Sequence, residues 1–566
     1  ARGDPVTGER ALPDIGERAA DAILGANPFV GIDRRGLAMA VTAWLGRAGR
    51  TSGLLATAGG ELARGLGDIL AGRSDIRPAG RDPRFADAAW NDSAAYRRLM
   101  QGYLLVSSEL RALVERTDLD RPTEARALFA LSLLTEAAAP TNTLLGNPAA
   151  LRRAVETRGQ SLVRGMRNLA VDLVANGGMP SQVDPRPFQV GGNLAVTRGA
   201  VVYRDEVMEL IQYAPATETV GERPLLVVPP QINKFYVLDL APGRSLIEHA
   251  VGRGVTAFTI SWRQANADRR DWSLDTYVRA ARTAAEVACE ITGSADCNVF
   301  GICAGGIVVA LLLGHLAASE DARIHSATFG VTMLDTSTGS MMRDLASDRA
   351  VAAAGRRSRR RGYLDGRDMA RVFAWMRPND LVWNYWVNNY LMGNDPPAFD
   401  VLYWNSDTTR LSAALHAEYL DLFKRNPLAG AGETGVLGTP IDLRQVRCDC
   451  YVMAGATDHI VPWQACYRIP QLVGGKTEFV LSSSGHVQSI VNPPGNPKAS
   501  YHTNPRRPKS PEAWLARAEK HTGSWWEHWA GWLVARSGER RPAPDALGSD
   551  AHPGRDRAPG LYVMER

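Results

Sequence analysis

Residues 297–313 read CNVFGICAGGIVVALLL, and this stretch decides the fold. A short apolar run ends in Gly301-Ile302-Cys303-Ala304-Gly305-Gly306, and a longer apolar run follows. The order is strand, sharp turn, helix. The flanking glycines have a steric reason: the residue at the turn sits in strained backbone, and neighbours without a Cβ let strand and helix approach closely. The helix start directs unpaired N–H groups at the sulfur, which favours thiolate. A lone cysteine at such a junction is ordinarily core filler. Here the pattern predicts a nucleophile elbow with Cys303 at its tip.

Working outward, short β-rich runs alternate with helical ones from about residue 195. Residues 200–203, 209–213, 225–228 and 257–262 read as strands, and 275–291 as an amphipathic helix. Beyond the elbow, strands are expected around 327–331, at 450–455 and at 478–481. Continuous apolar strands separated by helices predict a mostly parallel sheet covered on both faces. With the elbow, that is an α/β-hydrolase fold. Residues 196–566 form the expected catalytic domain.

Residues 1–195 are expected to form a mainly helical N-terminal domain. Tyr103, Val106, Leu110, Leu113 and Val114 recur at helical spacing, and Leu128, Leu131, Leu133 and Leu134 lie in a second such stretch. The run Asn176-Gly177-Gly178-Met179-Pro180 breaks this region from the next. Between about 337 and 440 the alternation stops, and Trp375, Trp383, Tyr385, Trp386, Tyr390 and Trp404 accumulate. This block reads as an aromatic cap over the site. Trp525, Trp529 and Trp532 share a helical face that predicts burial against the sheet. The Pro-, Asp- and Gly-rich stretch 541–559 reads as a surface arm.

Composition narrows the function classes. The chain has 566 residues, 45% of them hydrophobic and 22% charged, and a net charge of +5. That balance is ordinary for a soluble globular protein and argues against a nucleic-acid partner. Six cysteines are too sparse for a disulfide scaffold and point to a reducing compartment. Cys448 and Cys450 have the wrong spacing for a zinc pair and read as strand residues; no metal site is expected. The opening ARGDPVTGER has no apolar signal core, and no run approaches the roughly 18–20 apolar residues of a transmembrane helix.

Nucleophile, acid and histidine follow one another along chains of this fold. Asp458 follows the strand at 450–455, in AGATDHIVPW, and His486 follows the strand at 478–481, in VLSSSGHVQSIVNPP. Both fall at carboxyl ends of strands, where open α/β sheets build their sites. A free thiol has a pKa of about 8.5 and is only slightly ionised at neutral pH. His486 is therefore expected to take the proton from Cys303, and Asp458 to hold the imidazole tautomer. Two backbone N–H groups are expected to hold an oxyanion: that of Ala304, and one from the loop after 225–228, at Ile232. A thiolate exchanges acyl groups with thioesters at nearly even free energy, so a site that keeps water out favours acyl transfer over hydrolysis.

These residues resemble the polyhydroxyalkanoate synthases over nearly the whole chain. The stretches that carry the resemblance include AWNDSAAYRRL, NGGMPSQVDPRPFQVGGNLAVTRGAVVYRDEVMELIQY, LLVVPPQINKFYVLDLAPGRSLIEHA, FAWMRPNDLVWNYWVNNYLMG, ATDHIVPW, SSSGHVQSIVNPPGNPK, SWWEHWAGWL and APGLYVMER. The phrases around Asn176, Gln231 and His486 look most like the class II enzymes, which favour medium-chain monomers. Ala304 departs from the serine that class II members usually carry there; only its backbone N–H is needed. The resemblance implies a catalytic cysteine at Cys303 with Asp458 and His486. It implies polymerisation of (R)-3-hydroxyacyl-CoA into a growing polyester chain with release of CoA, and a homodimer at the surface of cytoplasmic granules, with granule-associated proteins as further partners. No cofactor is implied, because CoA is part of the substrate and then a product. Whether His486 or Asp458 activates the attacking hydroxyl stays open.

Other readings stand beside these. A cysteine thioesterase or polyester hydrolase of the same fold is the first alternative, and a non-catalytic granule-associated protein the second. His459 neighbours Asp458 and reads as a structural hydrogen-bonder, as do His249, His315 and His325. The run from Arg356 to Arg361 reads as a solvated face rather than a trap for CoA phosphates.

Overall fold

The computed structural model describes residues 33–337 and 347–566, apart from 52, 79, 81 and 459. His459 thus lies outside the described residues.

Ten strands form one sheet: β1 (Gly199–Arg204), β2 (Met208–Tyr213), β3 (Leu225–Val228), β4 (Ala257–Trp262), β5 (Cys297–Ile302), β6 (Ile324–Gly330), β7 (Asp449–Gly455), β8 (Thr477–Ser482), β9 (Ser500–Thr503) and β10 (Glu519–Thr522). Their spatial order is β1-β2-β4-β3-β5-β6-β7-β8-β9-β10. The six central strands, β3 to β8, run parallel, and antiparallel pairs close both edges. All six residues of β5 are buried, as expected of a parallel strand covered on both faces. The strands expected at 200–203, 209–213, 225–228, 257–262, 450–455 and 478–481 are present within a residue or two. β9 and β10 were not expected; they carry no continuous apolar run.

The chain passes from β3 to β4 on one side, then crosses back to β5 on the other. β3 and β5 are therefore neighbours whose connections leave in opposite directions. Such a switch point opens a crevice at the carboxyl ends of the strands. The loop bearing Ile232 and the turn bearing Cys303 both start there, with Val228 in register with Gly301. The helix Ala304–Ala318 is buried from Ala304 to Leu316. A helix apolar all round belongs in a core, and this one lies beneath the sheet's centre.

The helices Arg34–Arg50, Leu54–Leu70, Ala94–Glu115, Arg121–Ala137, Pro148–Glu156 and Gln160–Ala175 precede β1. The last ends where Gly177 and Gly178 take φ values of +61° and +82°, so the break read at 176–180 is a change of backbone hand that glycine permits. Between β6 and β7 the chain leaves the sheet and lays the helices Asp348–Arg361, Gly366–Met376, Asp400–Ser406 and Ala413–Arg425 over its carboxyl edge. In the first of these, Arg357 pairs with Asp368 and Arg361 with Asp365 at a largely exposed face.

The helix Trp525–Val534 buries Trp525, Trp526, Trp529 and Trp532. Each buried indole needs an acceptor for its N–H. Trp529 donates to Thr328 of β6 at 3.1 Å. Trp525 and Trp526 donate to the carbonyls of Ser489 and Ile490, at 2.6 and 3.1 Å.

The surface arm expected at 541–559 is mostly exposed, and it is fastened to the sheet. Arg540–Pro542 pairs with Thr219–Gly221, and the following chain runs along β1. Val201 N–H donates to Asp556 O and Arg555 N–H to Val201 O, both at 2.8 Å. The open edge of β1 supplies it with backbone partners that composition does not reveal. No helix among the described residues is long and apolar enough to cross a membrane.

Candidate active site

Cys303 has φ 51° and ψ −120°, a conformation that residues with a Cβ hold only when their surroundings impose it. Its N–H donates to Gly330 O at 2.9 Å, and its carbonyl accepts from Gly306 N–H at 3.0 Å. Thr332 Oγ1 donates to the same carbonyl at 3.3 Å. The glycines are there for close approach. A Cβ at Gly305 would stand 2.1 Å from Val228 O, one at Gly306 2.1 Å from Thr332 Oγ1, and one at Gly301 2.6 Å from the Gly306 Cα. Sheet, turn and helix thus converge at distances that no other residue fits.

Asp458 follows β7 and His486 follows β8, adjacent parallel strands with Gly455 in register with Ser482. Asp458 Oδ2 accepts from His486 Nδ1 at 2.6 Å. Its other oxygen accepts the N–H groups of Ile460 and Val461, at 2.9 and 3.0 Å. The carboxylate therefore caps its own turn and fixes the imidazole at once. Both side chains are buried. Cys303 lies beside His486, and the two line one cavity. Nδ1 is committed to Asp458, so Nε2 is the atom left for the sulfur. The structure brings together all three residues read from the sequence.

Burial by itself works against a charged imidazole. The charge and hydrogen bond of Asp458, with those of Cys303, outweigh it, and the His486 pKa is pushed up to about 10. A stability profile follows. Below the unfolded value of about 6.5 the ring is protonated in both states. Above it the unfolded chain has lost a proton that the folded chain keeps, so stability falls as pH rises from about 6.5 to about 10. The urea midpoint of the wild type is expected to decline between pH 7 and pH 9.5, and that of His486→Gln to lose this component of the slope. Parallel slopes in the two proteins would remove the argument.

Ala304 is the first residue of its helix, where N–H groups have no intrahelical partner. The Gln231–Ile232 peptide has its carbonyl held by Thr409 Oγ1 at 3.0 Å, so the Ile232 N–H points away from Thr409. Ile232, Ala304, Cys303 and His486 line one cavity of about 70 Å³. That is small beside the roughly 300–1,000 Å³ of open ligand clefts.

The insertion between β6 and β7 lines this cavity, but with only part of the aromatic set expected to cover it. Of the aromatics noted between 337 and 440, only Trp404 lines it, alongside Tyr419 and Phe423. Trp386 instead donates to Asn142 O at 3.1 Å and Tyr390 to Asp172 at 2.7 Å, both towards the N-terminal helices. Tyr419 and Phe423 stand four apart on the helix Ala413–Arg425. Their spacing was readable, but it looks the same as ordinary core packing. His249, His315 and His325 are absent from the cavity; His315 Nδ1 lies 2.8 Å from Thr439 Oγ1 and His325 Nδ1 3.3 Å from Asp296. Among the described residues no group of three or more His, Cys, Asp or Glu side chains is arranged to hold a metal ion.

Two family models match the chain. Residues 81–250 match the N-terminus of poly-beta-hydroxybutyrate polymerase (PhaC), and residues 224–493 match the alpha/beta hydrolase fold. Poly(3-hydroxyalkanoate) polymerase 1 of Ectopseudomonas oleovorans is 49% identical over 553 residues, covering 98% of this chain and 99% of the relative. Polymerase 2 of the same organism is 49% identical over 88% of this chain and 90% of its own length. The polymerase subunit PhaC of Cupriavidus necator is 40% identical over 88% of this chain and 85% of its own. With the hydrolase-type sheet and elbow already in place, these similarities settle the assignment: the chain belongs to the poly(3-hydroxyalkanoate) polymerase family, enzymes of acyl transfer.

Proposed function

We propose that this chain polymerises (R)-3-hydroxyacyl-CoA through an acyl thioester on Cys303. The observation that carries the reading is the Asp458–His486 hydrogen bond beside Cys303, at a strained elbow facing an apolar cavity. With the proton held on His486, the sulfur of Cys303 attacks the thioester carbonyl of the substrate. The N–H groups of Ala304 and Ile232 hold the oxyanion. The carbonyl–sulfur bond to CoA then breaks, and His486 returns the proton to the departing CoA thiolate. The acyl group now sits on Cys303.

In the second half-reaction the hydroxyl of a hydroxyacyl unit attacks that thioester. His486 or Asp458 takes its proton, an ester bond forms, and Cys303 is released. Acylation removes the sulfur's charge from beside His486, which lowers the ring's pKa and leaves it free to accept the hydroxyl proton. Nucleophile, base and oxyanion donors are all groups of the chain, so the cycle calls on no cofactor or metal. A cavity this small means the cap must move to admit substrate, and a closed cap keeps water from the thioester.

The monomer is of medium chain length, as the class II phrases suggest. The protein acts as a homodimer at the surface of cytoplasmic polyester granules, beside granule-associated proteins. Residues 196–566 are the catalytic unit, 337–440 its cap, and 1–195 a helical unit.

The test is CoA release across 3-hydroxyacyl chain lengths, with the polymer recovered and weighed. Polymer should account for the CoA released, most strongly for medium-chain substrates. Free hydroxy acid equal to the CoA released would indicate the thioesterase, and absence of CoA release a non-catalytic granule protein.

A further inference from the structure

The loop that carries Ile232 is tied down from one buried charge. Lys234 has a side chain only 7% exposed. An ammonium has three protons to donate, and three acceptors surround it. Asp407 Oδ1 lies at 2.8 Å, Val563 O at 2.6 Å and Glu565 O at 3.1 Å. The first acceptor belongs to the cap and the other two to the C-terminal strap.

Both holders are themselves fixed. Asp407 also accepts from the Tyr236 hydroxyl at 2.9 Å. Next to it, Trp404 Nε1 donates to the Lys234 carbonyl at 2.8 Å. Thr409 Oγ1 donates to the carbonyls of Gln231 and Ile232. On the strap, Glu565 O also accepts from Gln264 Nε2 at 3.0 Å, and the Glu565 carboxylate pairs with Arg263 at 2.9 Å. Leu561 and Tyr562 donate their N–H groups to the buried carboxylate of Glu209 in β2, each at 2.9 Å. The strap is thus clamped to the sheet, the cap segment 404–409 is stitched to the loop, and Lys234 joins the two.

We propose that Lys234 is a positioning residue for acyl transfer. Its three-way tie to Asp407 and to the carbonyls of Val563 and Glu565 holds the Ile232 N–H at the oxyanion. The inference rests on the oxyanion role given to Ile232 above. A displacement of about 1 Å in such a group is enough to cost roughly a hundredfold in rate. The same tie makes segment 404–409 a fixed part of the cap, so opening must occur elsewhere in it.

The experiment compares full-length wild type and Lys234→Met in two reactions: CoA release from (R)-3-hydroxyacyl-CoA, and alkylation of Cys303 by iodoacetamide. Alkylation forms an S–C bond with loss of iodide and needs no oxyanion donor, so it reports the nucleophile and the fold alone. Lys234→Met is expected to lose tenfold or more in kcat, with the loss in kcat rather than KM, while alkylation keeps at least a third of the wild-type rate. A smaller loss, a loss carried by KM, or alkylation that falls in step with CoA release overturns the proposal. Asp407→Asn should show the same split, and the double variant should be no worse than Lys234→Met alone, because both act through one tie. If Lys234→Met does not accumulate, Asp407→Asn is judged by the same criteria. The two readings fail separately. Wild type that stays active after Cys303 is fully alkylated sinks the nucleophile assignment. Wild type that is inactivated, beside a Lys234→Met that keeps its kcat, sinks only the role of Lys234.

Discussion

Cys303→Ala is expected to lower CoA release by about 10⁴-fold or more, to the level of substrate binding without a nucleophile. The variant removes one sulfur and keeps the Cβ, so the strained backbone at φ 51° is no worse than before. The turn is held by Gly330, Gly306 and Thr332 through backbone atoms of residue 303 that alanine retains. The fold should therefore survive, and circular dichroism with a urea titration checks that it does. Polymer yield in cells without another synthase should vanish. Yield equal to wild type would remove Cys303 from the reaction. Cys303→Ser is the finer probe. A hydroxyl is far harder to deprotonate than a thiol and a poorer leaving group in the second half-reaction, so any acyl group it accepts should be passed on slowly.

Asp458→Asn is expected to lower kcat by about 10³–10⁴-fold with little change in KM. The reason lies in how the carboxylate is shared. One oxygen accepts two backbone N–H groups, from Ile460 and Val461, and the other faces His486 Nδ1. An amide in this place turns its oxygen to the backbone donors, which sets its NH₂ against Nδ1. That nitrogen then gives up its proton, and the proton moves to Nε2. Nε2 is the atom on the Cys303 side, so the ring can no longer accept from the thiol. Single-turnover acylation by a chromogenic thioester measures this step apart from chain extension. Acylation within tenfold of wild type would show that Asp458 does not set the tautomer. Acylation that stays slow in proportion to overall turnover would place its effect in the first half-reaction. Normal acylation with lost polymer growth would place it on the hydroxyl.

The parts of the site that were readable rest on short-range physics. Gly301, Gly305 and Gly306 mark the elbow because a Cβ at each would stand within 2.6 Å of a neighbouring atom. The strand ends before Asp458 and His486 are visible as apolar runs followed by small polar residues. Once the sheet is parallel, β7 and β8 carry these two residues to one edge. The tryptophans of 525–532 were readable as a buried face from their spacing, but not as a prop for the helix His486–Ile490, which they hold by two of its carbonyls.

Other features were misread or missed because their partners are distant in the chain. The aromatic residues between 337 and 440 announced burial but not its direction, and Trp386 and Tyr390 turned towards the N-terminal helices. The stretch 541–559 was readable as a surface arm, but not as a strap along an open sheet edge. Nothing in PPQINKFY marks Lys234 as buried, because its acceptor Val563 is 329 residues away.

From the sequence alone came the hydrolase-type sheet, the cysteine at its elbow and the order of acid and histidine after it. Steric exclusion at glycine, and the period of apolar residues, act over a few positions and are written locally. The tertiary structure alone decided which cap residues close the cavity, where the strap runs, and how a buried ammonium is neutralised. A charge leaves water only where several acceptors converge on it, and here they converge from segments that meet only after the whole chain has folded.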